Sequence, residues 1–404
     1  MAKTLVVGTG EDSPVPFLRG ILTRSLQDAG LSFNKAYKIS SVVRDDLNDT
    51  DKITTLELRK RVAERVRQSY GEAAASRYLR ISQISAPVMV RYEDGEVTPF
   101  SSGYHRHYLE AISLPYEEAL VVTQRLNEQL KREQVREVSA QALERLTYRL
   151  LSNDKEFGPA VARRYVLWTQ FLRSGRPLIL LLGGTAGCGK STLATELANR
   201  LEIVRSQSTD GLREVMRMML PERLLPVLHT SSFTAWQALP EWGRETDHDM
   251  LLAAGYRTQA ELLAVPCEAV IQRTLKERVS MILEGVHVHP LLLDRIERNT
   301  GAIVVPIMIA VLKPNQLRSR IRGRGNQSPR RSSKRYLRYF DAIWRLQSYL
   351  LSEADRAKIA IIPNDDKEKA IQEIMRTIIS QLAREFSGNP NEVFSNTAGD
   401  SETV

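Results

Sequence analysis

Residues 178–201, LILLLGGTAGCGKSTLATELANRL, constrain the fold more than any other stretch of the chain. An unbroken apolar run gives way to glycines, then to Lys190, Ser191 and Thr192, then to a helical pattern. An apolar run without alternation suits a strand buried on both faces, and such strands belong to parallel sheets covered by helices. Gly184, Thr185, Ala186, Gly187, Cys188, Gly189, Lys190 and Ser191 complete the pattern G-x-x-x-x-G-K-[ST]. Its glycines let successive backbone N–H groups turn inward around phosphate oxygens. Lys190 neutralises charge on the β and γ groups, and the Ser191 hydroxyl is a Mg²⁺ ligand. The helix opening near Lys190 adds its positive end, with Thr192 in the same phosphate-facing turn. ATP and Mg²⁺ are the expected cofactors.

Further strand-like runs, EIVRS, VSMILE, AIVVPIMIAV and KIAIIPN, alternate with helical segments. The pattern predicts an α/β fold with a parallel five-stranded sheet. VSMILEGVHVHP ends an apolar strand on Glu284, a carboxylate suited to organising the metal. His287 and His289 follow on alternating positions. With no third ligand evident they read as loop histidines, His287 being placed to contact an anionic substrate. STDGLREVMR puts Asp210 at an expected helix N-cap, with Arg213 and Arg217 four apart on one helical face. An aspartate there can orient an acceptor hydroxyl, and the arginines can grip an acidic acceptor.

Only two cysteines occur, so no disulfide framework is expected; with no long apolar run or signal-peptide layout, a cytoplasmic location and no membrane partner follow. The net charge of +9 favours anionic partners, and much of the excess lies in RSRIRGRGNQSPRRSSKRYLRYF, residues 318–340. After the fourth strand this is where small P-loop kinases carry a lid. Its arginines, Arg320 and Arg324 among them, would cover the transferring group and exclude water. Nucleic acid is not expected, because no platform of interleaved aromatic and basic residues is present. IIPNDD closes the fifth strand and places Asn364 near an adenine ring.

The first 172 residues contain a repeat. Pro16-Phe17 aligns with Pro99-Phe100, and the same offset pairs Gly20 with Gly103, Leu26 with Leu109, Leu31 with Leu114 and Leu47 with Leu130. Each copy reads as a short strand and turn followed by amphipathic helices. The arrangement resembles the ATP-cone, a small regulatory nucleotide-binding module. Such modules carry bases before the glycine turn; here the first copy has none and the second only Arg91. Nucleotide binding and a structural or dimerising role, giving a homo-oligomer, are both left open. The expected domains are ATP-cone-like repeats at 1–86 and 87–174, a P-loop kinase domain with a helical lid at 175–385, and a disordered tail at 386–404.

GGTAGCGKSTLATELANRL, STDGLREVMR, LHTSSFTAW, EAVIQRTLKERVSMILEGVHVHP and RYLRYFDAIWRLQSYLLSEAD together resemble the 2-phosphoglycerate kinase family and related plant P-loop proteins linked to low phytic acid. The resemblance implies phosphoryl transfer from ATP to the 3-hydroxyl of 2-phosphoglycerate, giving 2,3-bisphosphoglycerate. In one departure, QLRSRIRGRG lacks the histidine usual in such lids and has isoleucine where phenylalanine is common. The alternatives are an inositol-phosphate or other polyol-phosphate kinase, and an ATP-sensing regulatory protein with little turnover.

Overall fold

The computed structural model describes residues 4–7, 15–47, 50–84, 87–154, 157–240, 247–296, 301–327 and 333–394, apart from the side chains at 28, 80–84 and 324–327. It divides into two compact units, residues 1–100 with 127–143, and residues 101–126 with 144–403.

The first unit contains two three-stranded sheets of the same design. β1 (Leu5–Val7) pairs antiparallel with β2 (Val15–Pro16) and parallel with β3 (Lys52–Thr54). β4 (Met89–Arg91) likewise pairs antiparallel with β5 (Val97–Pro99) and parallel with β6 (Glu137–Ser139). The same order and sense recur, as a duplicated sequence requires. Helices Arg19–Asp28, Phe33–Asp46 and Thr55–Tyr70 bury Leu22, Leu26, Ile39, Val43, Val62 and Val66 in a shared apolar cluster.

The second unit is built on five strands: β7 (Leu178–Gly183), β8 (Arg205–Ser208), β9 (Met281–Gly285), β10 (Ile303–Ala310) and β11 (Ala360–Pro363). All neighbours are parallel, in the order β11-β10-β7-β9-β8. Every residue of β7 and β9 is buried, which explains their continuous apolar runs. β8 begins at Arg205, later than EIVRS suggests, because it is an edge strand with half-exposed residues and an exposed Val204 before it. β7 lies at the centre, between strands that follow it in the chain on either side. A ligand crevice forms outside the carboxyl ends of strands at such a switch point.

Two features differ from the sequence-based domain division. Helices Ser102–Ala111 and Gly158–Arg173 of the second repeat belong to the unit of the large sheet. Leu109, Ile112, Leu114, Leu151 and Trp168 share one buried cluster with Leu180 and Leu193. Of the expected tail, residues 386–394 are ordered: Pro390–Phe394 is a short helix, Val393 is buried, and Arg173 donates to its carbonyl at 2.9 Å. Residues 395–404 lie outside the described residues.

Candidate active site

The loop after β7 turns into the helix Lys190–Arg200 through Gly189, at φ 95°. A Cβ there would sit 2.4 Å from Asn364 Nδ2, so only glycine permits both the left-handed backbone and the close approach. Lys190 is 7% exposed; its Nζ donates to the Thr185 carbonyl at 2.9 Å and lies 3.8 Å from Cys188 Sγ. An ammonium has three donors, and one strong protein acceptor leaves it suited to an anion. Leu317 and Ile321 of helix Pro314–Gln327 pack over Gly187. The isoleucine noted in the sequence is thus part of the loop's apolar backing.

Ser191 Oγ donates to Glu284 Oε1 at 2.8 Å, and Glu284 is buried near the end of β9. A hydroxyl and a carboxylate are hard oxygen ligands, and Mg²⁺ at phosphate sites needs only one or two protein ligands besides phosphate oxygens. Among the described residues no cluster of three His, Cys, Asp or Glu side chains could hold a metal by itself. The hydroxyl–carboxylate pair fits a metal shared with a nucleotide. Glu284→Gln should weaken the apparent Mg²⁺ affinity roughly 10–100-fold while leaving the melting temperature nearly unchanged. A Mg²⁺ titration of ATP turnover checks this.

Asn364, expected near adenine, braces the P-loop. Its Nδ2 donates to the Cys188 carbonyl at 2.7 Å and its backbone N–H to Ala310 at 2.8 Å, and the side chain is buried. Arg320 reaches the same loop, with Nη1 3.4 Å from the Cys188 carbonyl and Nη2 3.4 Å from the Asp365 carbonyl. Arg324 lies on the same helix, but its side chain falls outside the described residues, as do Arg330 and Arg331 altogether.

On the other side, helix Thr209–Met219 starts from Ser208, whose hydroxyl accepts from the Asp210 N–H at 3.2 Å. The N-cap is thus Ser208, not Asp210. Both residue types can cap, and β8 delivers the chain in extended conformation at Ser208. Asp210 sits in the first turn with its carboxylate 53% exposed and 3.8 Å from Arg213. Arg213 donates from Nη1 to the Thr230 carbonyl at 2.8 Å, and Arg217 to Glu214 at 2.9 Å. The buried Nε of each arginine has no hydrogen-bond partner among the described residues. Two guanidiniums one turn apart on one helix suit an anionic ligand.

His287 faces inward, contrary to the expected substrate contact. It is 2% exposed, with Nδ1 3.1 Å from Thr209 Oγ1 and Nε2 2.8 Å from Gln259 Oε1. Burial pushes its pKa down to about 3; nearby Asp210 raises it, and Arg213 and Lys190 lower it further. A neutral ring with both nitrogens engaged does not grip an anion. Gln259 donates to the carbonyls of Val227 at 2.5 Å and Thr230 at 3.3 Å. Thr209, Gln259 and Thr230 gave no signal in the sequence, because a glutamine within a helix and threonines near turns look like surface residues. Gly285 was the available clue, as a glycine directly after a buried acidic strand end: a Cβ there would sit 1.8 Å from Thr209 Oγ1. His289 is also buried, its Nδ1 accepting from Leu291 N–H at 3.2 Å.

A phosphate-cradling loop at the switch point of a parallel sheet, a hydroxyl–carboxylate pair and an arginine-bearing helix opposite define a P-loop phosphotransferase site. Sequence comparison agrees. A family model described as an AAA domain matches residues 180–341. The 2-phosphoglycerate kinase of Pyrococcus furiosus is 35% identical over 295 residues, covering 73% of this chain and 94% of the relative. Those of Methanopyrus kandleri and Methanocaldococcus jannaschii are each 32% identical, over 71% and 73% of this chain and 85% and 92% of their own length. The chain belongs to the 2-phosphoglycerate kinase family. It is an ATP-dependent phosphotransferase acting on a small phosphorylated substrate. Among the described residues no helix is long and apolar enough to cross a membrane.

Proposed function

We propose that the enzyme transfers the γ-phosphoryl group of ATP to the 3-hydroxyl of 2-phosphoglycerate, yielding ADP and 2,3-bisphosphoglycerate. The observation that carries the reading is the pair Arg213 and Arg217, one turn apart on the helix that follows β8, with buried Nε donors that have no hydrogen-bond partner among the described residues. A three-carbon acid phosphate offers a carboxylate and a phosphate to two guanidiniums, and relatives named for this activity cover most of the chain.

Lys190 and the loop N–H groups hold the β and γ phosphates, and Asn364 keeps the loop closed around them. Ser191 and Glu284 would hold Mg²⁺, which would supply charge neutralisation at the phosphates. Asp210, with its half-exposed carboxylate, orients the acceptor hydroxyl and takes its proton. The acceptor oxygen bonds to γ-phosphorus as the bond to the ADP oxygen breaks. The transition state is loose, so positioning and charge neutralisation supply most of the acceleration. Arg320 on the helix Pro314–Gln327 would cover the transferring group and exclude water.

ADP release by the full chain should be measured with Mg²⁺–ATP and a panel of 2-phosphoglycerate, 3-phosphoglycerate, glycerate and inositol monophosphate. The expected result is the highest kcat/KM for 2-phosphoglycerate. Preference for inositol monophosphate would replace the acceptor but keep the class. ATP binding with no turnover of any acceptor would favour a sensing role.

A further inference from the structure

Glu284 near the end of β9 and His287 just after it lie three residues apart, and the second of them opens a closed ring of contacts across the acceptor half of the site. Thr209 Oγ1 meets His287 Nδ1, His287 Nε2 meets Gln259 Oε1, and Gln259 Nε2 reaches the Thr230 carbonyl. The same carbonyl accepts from Arg213 Nη1, and Arg213 returns along its helix to Thr209. The polarity of the side-chain links is fixed. The Gln259 amide donates to two carbonyls, so its Oε1 accepts and the His287 Nε2–H donates to it. His287 Nδ1 must then accept from the Thr209 hydroxyl. Thr209, His287 and Gln259 are all buried, and Gly285 leaves no room for a Cβ against Thr209. A buried network with every link satisfied admits one arrangement.

We propose that His287, Thr209 and Gln259 are positioning residues that set the gap between the metal-and-phosphate half of the site and the acceptor-gripping half. β9 presents Glu284 to Ser191 on one side and, through His287, fixes the first turn bearing Asp210 and Arg213 on the other. In-line transfer is sensitive to displacements of about 1 Å, so loosening this link misplaces the acceptor while leaving the nucleotide in place. The proposal rests on the phosphotransferase reading with an anionic acceptor at Arg213.

Thr209→Val tests it, since valine keeps the shape and removes the hydroxyl; Thr209→Ser restores the hydroxyl. ADP release is measured with and without 2-phosphoglycerate, alongside calorimetric binding of a non-hydrolysable ATP analogue. For Thr209→Val the expected results are an acceptor KM raised about tenfold and a similar rise in the share of ATP lost to water. Analogue affinity should stay within about twofold of wild type, and Thr209→Ser should behave nearly as wild type. Adding Thr209→Val to His287→Gln should cost little more than His287→Gln alone, since the histidine change already breaks the Thr209 link. An unchanged acceptor KM and water share in Thr209→Val, or an equal loss of analogue affinity, would overturn the proposal. Failure of the acceptor reading shows separately, in the wild type; the ratio is then read with whichever acceptor the panel selects. If none is turned over, amide exchange decides: faster exchange confined to Thr209–Met219 in Thr209→Val supports the link, and unchanged exchange there refutes it.

Discussion

Replacing Lys190 with methionine is expected to lower kcat/KM for phosphoryl transfer roughly 10²–10³-fold, with the melting temperature within a few degrees of wild type. The side chain is nearly buried and its ammonium contacts one carbonyl and a thiol, with no carboxylate partner among the described residues. Burying a charge is costly unless it is paired, and at this position the pairing charge is a phosphate. The charge therefore contributes little to folding and much to the triphosphate, most of all as negative charge redistributes during transfer. Methionine fills the volume without the charge, so packing is kept. Lys190→Arg should not rescue activity: a planar fork does not replace a compact ammonium inside the turn held by Gly189 and Asn364. Single-turnover kinetics at saturating ATP check both variants.

The second large effect is a loss of stability in mild acid. His105, His287 and His289 are buried in the unit of the large sheet, and burial lowers their pKa values to about 4, 3 and 4. His105 lies between the hydroxyls of Thr123 and Thr147, at 2.9 and 3.0 Å. His289 Nδ1 caps the helix Pro290–Leu293 only while unprotonated. Each folded value lies below the ordinary 6.5. As pH falls from 6.5 toward 4, the unfolded chain takes up protons that the folded chain excludes. The stabilisation is fully present above pH 6.5 and shrinks below it. Half of the unfolded histidines are already protonated at pH 6.5, so each such histidine loses between about 1 and 2 kcal/mol from pH 6.5 to 5, and three lose about 5 kcal/mol. That is comparable with the whole stability of an ordinary domain. The melting temperature of the large-sheet unit, followed in the full chain by calorimetry at constant ionic strength, should fall by roughly 10 °C over this interval. His105→Gln should flatten the fall by about a third.

The parts of the site legible in the sequence are those whose chemistry is local. The P-loop is a fixed spacing of glycines, lysine and serine, and its meaning survives without the rest of the fold. The buried position of Glu284 near the end of β9 was legible because an unbroken apolar run leads into it. His287 was misread because its burial depends on Thr209, Gln259 and the fully buried Tyr256, residues far from it in the chain. The helix start was misplaced because Ser208 and Asp210 are both good caps, and only the exit geometry of β8 selects between them. Asn364 was placed near adenine from strand order alone, whereas its position is set by the Cys188 carbonyl. The grouping of the second repeat's helices with the large sheet follows from where their apolar faces are buried, which a repeat pattern does not specify. The short helix Pro390–Phe394 depends on Val393 packing beside Gly158–Arg173, too small a signal to separate from a tail.

Product identification by phosphorus NMR tests acceptor identity most directly, in a reaction of the full chain with Mg²⁺, ATP and 2-phosphoglycerate. The expected spectrum shows ADP growing in step with two phosphomonoester signals of 2,3-bisphosphoglycerate, as the 2-phosphoglycerate signal declines. Growth of ADP with inorganic phosphate alone, and 2-phosphoglycerate untouched, would contradict it.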